Sequence, residues 1–337
     1  MERYSRLARV TGVGAEGVEK LRAARVLIVG CGALGTHLAD SLVRAGVGRL
    51  DLVDRDIVEW SNLQRQVLFD EQDADKGLPK AIAARDRLRS VNSEVAIEGH
   101  VADCERGFLD GLPSQPDLVL DGTDNFPTRY LINDWCRDRN TPWVYAGAVG
   151  VEGASMVVTP DGPCLRCLWP EPPTQADVGS CETSGVMAPA IAAVTAFQAA
   201  EAMKLLMGAP TTTGVFTCDV WRGSYQVVPL SSEPAADCPC CAGGLRPALD
   251  ERPLQAVTLC GRDAVQVQPE DPAAAKRDLA QLEAHLAGAV EELHRTPHLL
   301  RFTVDQVRFT VFPGGRALLF GVQDPLRARA LYDRWLG

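Results

Sequence analysis

The stretch from Arg25 to Gly35, RVLIVGCGALG, constrains the fold more than any other. A short apolar, β-branched run ending in glycine reads as a strand buried on both faces of a parallel sheet. The glycines follow at once in the G-x-G-x-x-G pattern, as Gly30, Gly32 and Gly35. The first permits the turn, the second lets a phosphate approach the backbone, and the third lets helix and strand pack closely. The helix start then offers N–H groups to an anion. Thr36 to Ala45 takes a helical pattern, and the strand-like run Leu50 to Val53 ends on Asp54, nineteen residues past Gly35. Strand, glycine turn, helix and strand predict a doubly wound, Rossmann-like α/β fold with a mainly parallel sheet. An acid at Asp54 suits ribose hydroxyls, but this loop alone leaves nicotinamide, flavin and ATP chemistry open.

The same alternation continues along the chain. Lys80 to Val91 and Arg129 to Arg139 read as helices, and Val95 to Val101, Asp117 to Asp121 and Trp143 to Ala146 as strands. Val186 to Leu206 is long and apolar, but Gln198, Glu201 and Lys204 punctuate it and Pro189 sits near its start, which predicts a core helix. At 337 residues the chain exceeds what one core usually serves. The Pro- and Gly-rich segment from Ser231 to Gln255 is the best linker candidate. The expected division is a domain over 1–245, a linker over 246–255 and a small α+β domain over 256–337. Strands are expected in that tail at Val257 to Cys260, Ala264 to Val267, Leu300 to Val304, Arg308 to Phe312 and Ala317 to Phe320, with helices at Ala273 to Leu286 and Leu326 to Leu336.

A net charge of -10, spread along the sequence, disfavours nucleic acid as the main ligand. The N-terminus MERYSRLARV is too charged for a signal peptide, and no run resembles a membrane span, so a cytoplasmic protein is expected. Eleven cysteines in such a chain point to thiols, metal ligands or catalysis rather than disulfides.

The stretch VDRDIVEWSNLQRQ decides between the nucleotides. A dinucleotide carries no phosphate leaving group, and the loop backbone satisfies its pyrophosphate. A triphosphate that loses pyrophosphate needs cations on its outer oxygens. Arg65 and Lys80 are typed for that role, with Asn62 and Gln66 as neutral donors. Asp121-Gly122-Thr123-Asp124-Asn125 closes a strand at the end where doubly wound sheets bind ligands, and an acid there can hold Mg²⁺ against the phosphates or cap a helix.

These motifs together resemble the ubiquitin-activating-like adenylyltransferases of the ThiF/MoeB/HesA group. The resemblance covers about residues 1–245 and rests on RYSR, GCGALG, DRDIVEWSNLQRQ, Pro79-Lys80, DGTDN, two C-x-x-C pairs and CETSGVMAP. It implies an enzyme that uses Mg-ATP to adenylate the C-terminal carboxylate of a small ubiquitin-like sulfur carrier ending in Gly-Gly. The nucleotide is expected against Gly30, Gly32, Ala33, Gly35 and Asp54 and the segment Ser61, Asn62, Leu63, Gln64, Arg65 and Gln66, with Lys80 on the phosphates and Asp124 beside Asn125 on the metal. Arg6 matches an N-terminal arginine that reaches the other protomer's site, so a homodimer is implied. Ala33 stands where many relatives have Gly, and Leu7 where Gln is usual.

Cys164 with Cys167 and Cys238 with Cys241 form two C-x-x-C pairs, the pattern of a four-thiolate structural Zn²⁺ site. The intervening Cys240 also permits a tighter pairing, although the C-x-x-C spacing favours Cys241. Cys181 matches a loop cysteine that in some relatives accepts the activated carboxylate as a thioester or joins an acyl-disulfide during sulfur transfer from a cysteine desulfurase or persulfide donor; other members adenylate without it, which leaves a plain loop thiol as the alternative. Cys260 sits too close to the tail's start for a rhodanese loop, so the tail is expected to dock a partner or cover the dimer. The alternatives carried alongside are a same-fold enzyme acting on a tRNA threonylcarbamoyl group or peptide terminus, an NAD-dependent dehydrogenase, and a non-catalytic scaffold.

Overall fold

The computed structural model describes residues 2–173, 184–250, 256–259, 263–269 and 278–336. The chain divides into two compact units, Met1–Glu251 and Arg252–Gly337.

The strands of the first unit are β1 (Arg25–Val29), β2 (Arg49–Val53), β3 (Ala96–His100), β4 (Leu118–Asp121), β5 (Trp143–Val149), β6 (Glu152–Val158), β7 (Val215–Asp219) and β8 (Ser224–Val228). They form one sheet in the order β3-β2-β1-β4-β5-β6-β7-β8. The first five are parallel and the last three antiparallel. The helices are α1 (Gly14–Ala23), α2 (Ala33–Ala45), α3 (Glu71–Lys76), α4 (Lys80–Val91), α5 (Arg106–Asp110), α6 (Phe126–Asp138), α7 (Leu165–Leu168), α8 (Ala188–Met207) and α9 (Pro247–Asp250).

Strand alternation distributes the core. Val26 and Ile28 of β1 join Leu38 and Leu42 of α2, Ala81 and Ala84 of α4 and Ala199 and Ala202 of α8 on one face. Leu27 and Val29 join Tyr130 and Ile132 of α6, Leu165 of α7 and Leu249 of α9 on the other. Burial on both faces is why β1 reads as an unbroken apolar run.

Several elements differ from expectation. Helix α2 begins at Ala33, inside the glycine motif, because Gly32 itself is the N-cap. Helix α6 begins at Phe126, three residues early, since Asn125 caps it and Pro127 fits its first turn. Strands β6, β7 and β8 are additions; their mixed polar and small residues give no clean period. Helix α8 is, among the described residues, the one helix long and apolar enough to cross a membrane. It packs instead on β5, β6 and α2, burying Gln198 and Glu201 almost completely.

The expected linker is shorter than its composition suggests. Residues 247–250 form α9, with Ala248 and Leu249 buried and the Ala248 N–H donating to Asp134 Oδ2 at 3.1 Å. The Pro, Gly and Cys content belongs to a tight turn after Cys238, where local hydrogen bonds need those residues. Residues 251–255 lie outside the described ones.

The second unit is an antiparallel sheet of β9 (Ala256–Leu259), β10 (Ala264–Val267), β11 (Glu291–Arg295), β12 (Leu300–Val304), β13 (Val307–Val311) and β14 (Ala317–Phe320), in the order β11-β12-β13-β14-β10-β9. Helices α10 (Leu279–Leu286) and α11 (Pro325–Leu336) complete it; Leu282, Leu286, Ala328 and Tyr332 share a core with Val265, Leu319 and the stacked rings of Phe302 and Phe309. Strand β11 is an addition to the expected set, and the predicted start of α10 before Asp278 lies outside the described residues.

Candidate functional site

Three glycines lock the loops after β1 and β4 together. A Cβ on Gly30 would lie 2.6 Å from Gly122 O, one on Gly122 would lie 2.6 Å from Gly30 O, and one on Gly35 would lie 1.8 Å from Gly30 O. Gly30 also takes φ +91°, a conformation that favours glycine. Gly32 differs, because a Cβ there meets nothing nearer than Gly122 O at 3.8 Å. The protein's own packing does not require that glycine. No side chain caps the start of α2, so its first N–H groups lack a side-chain partner beside Gly32.

Around that space the expected residues divide into those that hold the loops and those left over. Asp54 Oδ2 accepts the Cys31 N–H at 2.7 Å and Oδ1 the Asp56 N–H at 2.7 Å, so the carboxylate first of all ties β2 to the glycine loop. Burial pushes its pKa up, and the Lys80 cation opposes that rise. Lys80 opens α4, is 3% exposed, and sets its Nζ 3.4 Å from Asp56 Oδ2. Asn62 Oδ1 accepts the Glu59 N–H at 3.1 Å in a capping box, and its Nδ2 lies 3.5 Å from Ser61 Oγ. Leu63 packs against the core and Ala33 against Leu34, Ala146 and Ile191. Arg65 donates to the Ser61 carbonyl at 2.8 Å, while Ser61 and Gln64 are exposed. Gln66 stands apart: it is buried, its Oε1 has no partner, and its Nε2 points to Gly32 at 4.0 Å from a Cβ placed there.

In the β4 loop the capping and metal-typed roles fall to different residues. Asn125 Oδ1 accepts the Thr128 N–H at 3.0 Å and caps α6. Asp124 is exposed beside it. Asp121 is fully buried, with Oδ1 accepting from Thr123 and Oδ2 paired to Arg129 at 3.1 Å. Arg129 escaped the sequence reading. It also donates to the Thr123 and Ala146 carbonyls at 2.9 and 3.1 Å and lies over the Phe126 and Tyr145 rings. A buried Gln198 Nε2 bridges the carbonyls of Asp121 and Val144, each at 2.9 Å, where β4 and β5 part.

A second cluster lies across α6. The sulfurs of Cys164, Cys167, Cys238 and Cys241 all fall within 4.8 Å of one another. The Sγ–Sγ distances are 3.8 Å for Cys164 to Cys238, 3.7 Å for Cys167 to Cys241 and 3.9 Å for Cys164 to Cys167. A tetrahedron of sulfurs about 2.3 Å from a central Zn²⁺ has edges of about 3.8 Å, so the four residues fit that ion. Backbone N–H groups of Cys164 and Ala235 donate to Cys167, that of Cys241 to Cys238, and Arg137 to Cys241 at 2.8 Å. Cys240 faces Asn133 and Arg246 instead.

Comparison with known proteins adds the decisive observation: a profile described as "ThiF family" matches residues 4–240. The chain belongs to the ThiF family. It is 39% identical over 337 residues to the sulfur carrier protein ThiS adenylyltransferase of Bacillus subtilis, covering 99% of each chain. It is 40% identical over 246 residues to the SAMP-activating enzyme E1 of Haloferax volcanii, covering 72% of this chain and 90% of that protein. A crystal structure of E. coli MccB with ATP shares the fold, with TM-score 0.61 at 23% identity over 71% of this chain and 74% of that one.

One residue of the ThiF motif set, Arg6, stands apart from these loops. Arg6 is exposed, and Tyr4 beside it is buried, its ring lying 2.5 Å from where a Cβ on Gly46 would be. Gly46 caps the far end of α2 from Gly32, and thirteen residues at about 1.5 Å each make that helix about 20 Å long. Cys181 lies outside the described residues. What the sequence reading missed, Gly122, Arg129 and Gln198, acts through packing and buried hydrogen bonds that only the assembled loops reveal.

Proposed function

We propose that this ThiF-family chain uses Mg-ATP to adenylate the C-terminal carboxylate of a small ubiquitin-like sulfur carrier of the ThiS kind. A carboxylate oxygen attacks the α-phosphorus, the bond to the β-phosphate oxygen breaks, and pyrophosphate leaves as the acyl-adenylate forms. No general base is needed, since the carboxylate is ionised at neutral pH. The observation that carries the reading is the likeness to the ThiS adenylyltransferase along the whole chain, both units included. The tolerance for a methyl at Gly32, the uncapped start of α2 and the Gln66 Nε2 donor beside Gly32 support a phosphate-bearing ligand there.

In this reading the α2 N–H groups and Gln66 hold phosphate oxygens, and Lys80 and Arg65 balance the charge of the departing pyrophosphate. Asp124 takes the Mg²⁺, which its exposure beside the pocket permits. Zn²⁺ is held by Cys164, Cys167, Cys238 and Cys241 and ties the turn after Cys238 to α7, with no open position for chemistry. Arg6, at the wrong end of α2 for its own pocket, completes the site of a second copy, so the enzyme is a homodimer. Cys181 carries the onward transfer with a desulfurase or persulfide donor, in the cytoplasm.

The test is exchange of labelled pyrophosphate into ATP, run with B. subtilis ThiS. Exchange that requires the carrier is the expected result. ATP binding without exchange under any carrier concentration refutes adenylation of this substrate.

A further inference from the structure

A cleft of about 480 Å³ opens between the β5–β6 turn and the β7–β8 turn, lined by Val151, Glu152, Met187, Asp219, Trp221 and Arg222. Asp219 is settled internally. Its Oδ1 accepts the N–H groups of Trp221 and Arg222 at 3.0 and 2.9 Å, and Oδ2 pairs with Arg222 Nη1 at 3.0 Å. The apolar side chains of the lining are Val151, Met187 and Trp221, that indole is 77% exposed, and the Arg222 side chain remains largely exposed at the rim. Exposed Glu152 is a poor neighbour for an acid. Met187 is fixed in place by its N–H to Gly150 O at 2.8 Å, and Gly150 donates to Gly185 O at 2.8 Å.

The cleft lies on the reactive edge of the sheet. Strand β5 runs parallel to β4, and β7 runs the same way as β5, so Asp219 ends β7 on the edge where Gly30 ends β1 and Asp121 ends β4. Leu120 pairs with Val144, after which β5 continues to Val149, opposite Glu152 and then Asp219. The β7 side of the cleft, with Asp219 and Trp221, therefore stands about 13 Å beyond Asp121 and three strand spacings, about 14 Å, to the side. The diagonal is about 19 Å, which about six residues of extended chain cover.

We infer that this cleft receives an apolar side chain of the carrier's tail, about five to seven residues before the terminal glycine, while the carboxylate reaches the α-phosphate. Trp221 is then a specificity-determining residue for the carrier. The inference rests on the adenylation reading and extends it.

The experiment measures pyrophosphate exchange at saturating ATP against B. subtilis ThiS concentration, for the wild type, Trp221→Ala and Trp221→Phe. It is repeated with ThiS variants carrying a single Asp at each position from fourth to eighth from the end. Trp221→Ala is expected to raise KM for ThiS about tenfold or more while kcat stays within about twofold, and Trp221→Phe to recover most of the loss. One tail position should show a large Asp penalty with the wild type that vanishes on Trp221→Ala. An unchanged KM, or equal Asp penalties in both backgrounds, overturns the inference. Absence of exchange with the wild type counts against the adenylation reading instead. Direct titration of ThiS into nucleotide-free protein then decides on the cleft, with weaker binding to Trp221→Ala supporting it and equal binding overturning it.

Discussion

Replacing Gly32 with Ala separates what the glycine loop does for the fold from what it does for a phosphate. The added methyl meets nothing nearer than 3.8 Å, so the folded chain accommodates it. Ala is a poorer N-cap than Gly by about 1 kcal/mol or less, and gains about 0.4 to 1 kcal/mol from a less flexible unfolded chain, so the two nearly cancel. The melting temperature should move by less than about 3 °C. A phosphate has no such latitude, because the methyl occupies the approach to the α2 N–H groups. Losing one hydrogen bond to a charged oxygen costs about 1.5 to 3 kcal/mol. The Kd for ATP should therefore rise about 10- to 150-fold, read by titration calorimetry on the sample used for melting. Gly35→Ala is the contrasting control, since its methyl falls 1.8 Å from a main-chain oxygen that cannot rotate away, and it should lose the fold. ATP binding by Gly32→Ala within about twofold of wild type, at unchanged melting, would falsify the phosphate assignment.

Three further outcomes are expected. Asp124→Asn should leave stability within about 0.5 kcal/mol, because the side chain is exposed, and lower pyrophosphate exchange about 100-fold or more; exchange at the wild-type rate would move the Mg²⁺ ligand elsewhere. Cys241→Ser should release bound zinc, whereas Cys240→Ser should keep about one zinc per chain, both read by elemental analysis; the reverse result would reassign the fourth ligand. Burial raises the Asp51 pKa, but hydrogen bonds from His100 and Arg49 outweigh it and hold the group at about 2 against an ordinary 3.8. That depressed pKa contributes about 2 kcal/mol of stability above pH 4, lost as pH falls from about 4 to 2. The loss should be absent from acid titrations of Asp51→Asn, and an identical slope in both proteins would refute it.

How much of this was legible in the sequence depended on the range of the interaction. The β1 run, the glycine spacing and the Cys-x-x-Cys pairs carry their meaning locally, and the structure puts Gly30 and Gly35 in the turn and close packing that the pattern demands. Asn62 was legible as a polar residue near a pocket, yet it folds its own turn, because a capping box uses the same residue type as a phosphate donor. Gly122 escaped notice as a packing glycine since its neighbours, Gly30 and Gly35, are about ninety residues away in the chain. Arg129 looked like one more helix arginine, and nothing in its neighbourhood announces a buried partner at Asp121. Strand β8 shows no period because it is exposed throughout and so has no apolar face, and β6 and β7 mix small and polar residues along partly buried strands.

Helix α6 gives those missed residues a common purpose. Its first residue follows Asn125 and Asp124, and its first turn sends Arg129 back to hold Asp121 and the Thr123 carbonyl. Further along, Asn133 accepts the Leu165 N–H at 2.9 Å and Asp134 takes a two-pronged ion pair from Arg166, both within the short segment between Cys164 and Cys167. Arg137 then donates to Cys241 and to the carbonyls of Thr159, Pro160 and Gly162. Tyr130 Oη, from the same helix, donates to the carbonyls of Trp169 and Glu171, the last stretch before residues 174–183. One rigid rod of about 20 Å thus carries the loop of Asp124 at one end and the four-thiol knuckle along its side. A buried Arg–Asp pair tolerates little displacement, because moving either partner leaves a charge without compensation in a low-dielectric core. The four-cysteine cluster and the loop of Asp124 are therefore coupled mechanically through α6, so that a closed knuckle remote from Gly32 still fixes where that loop stands.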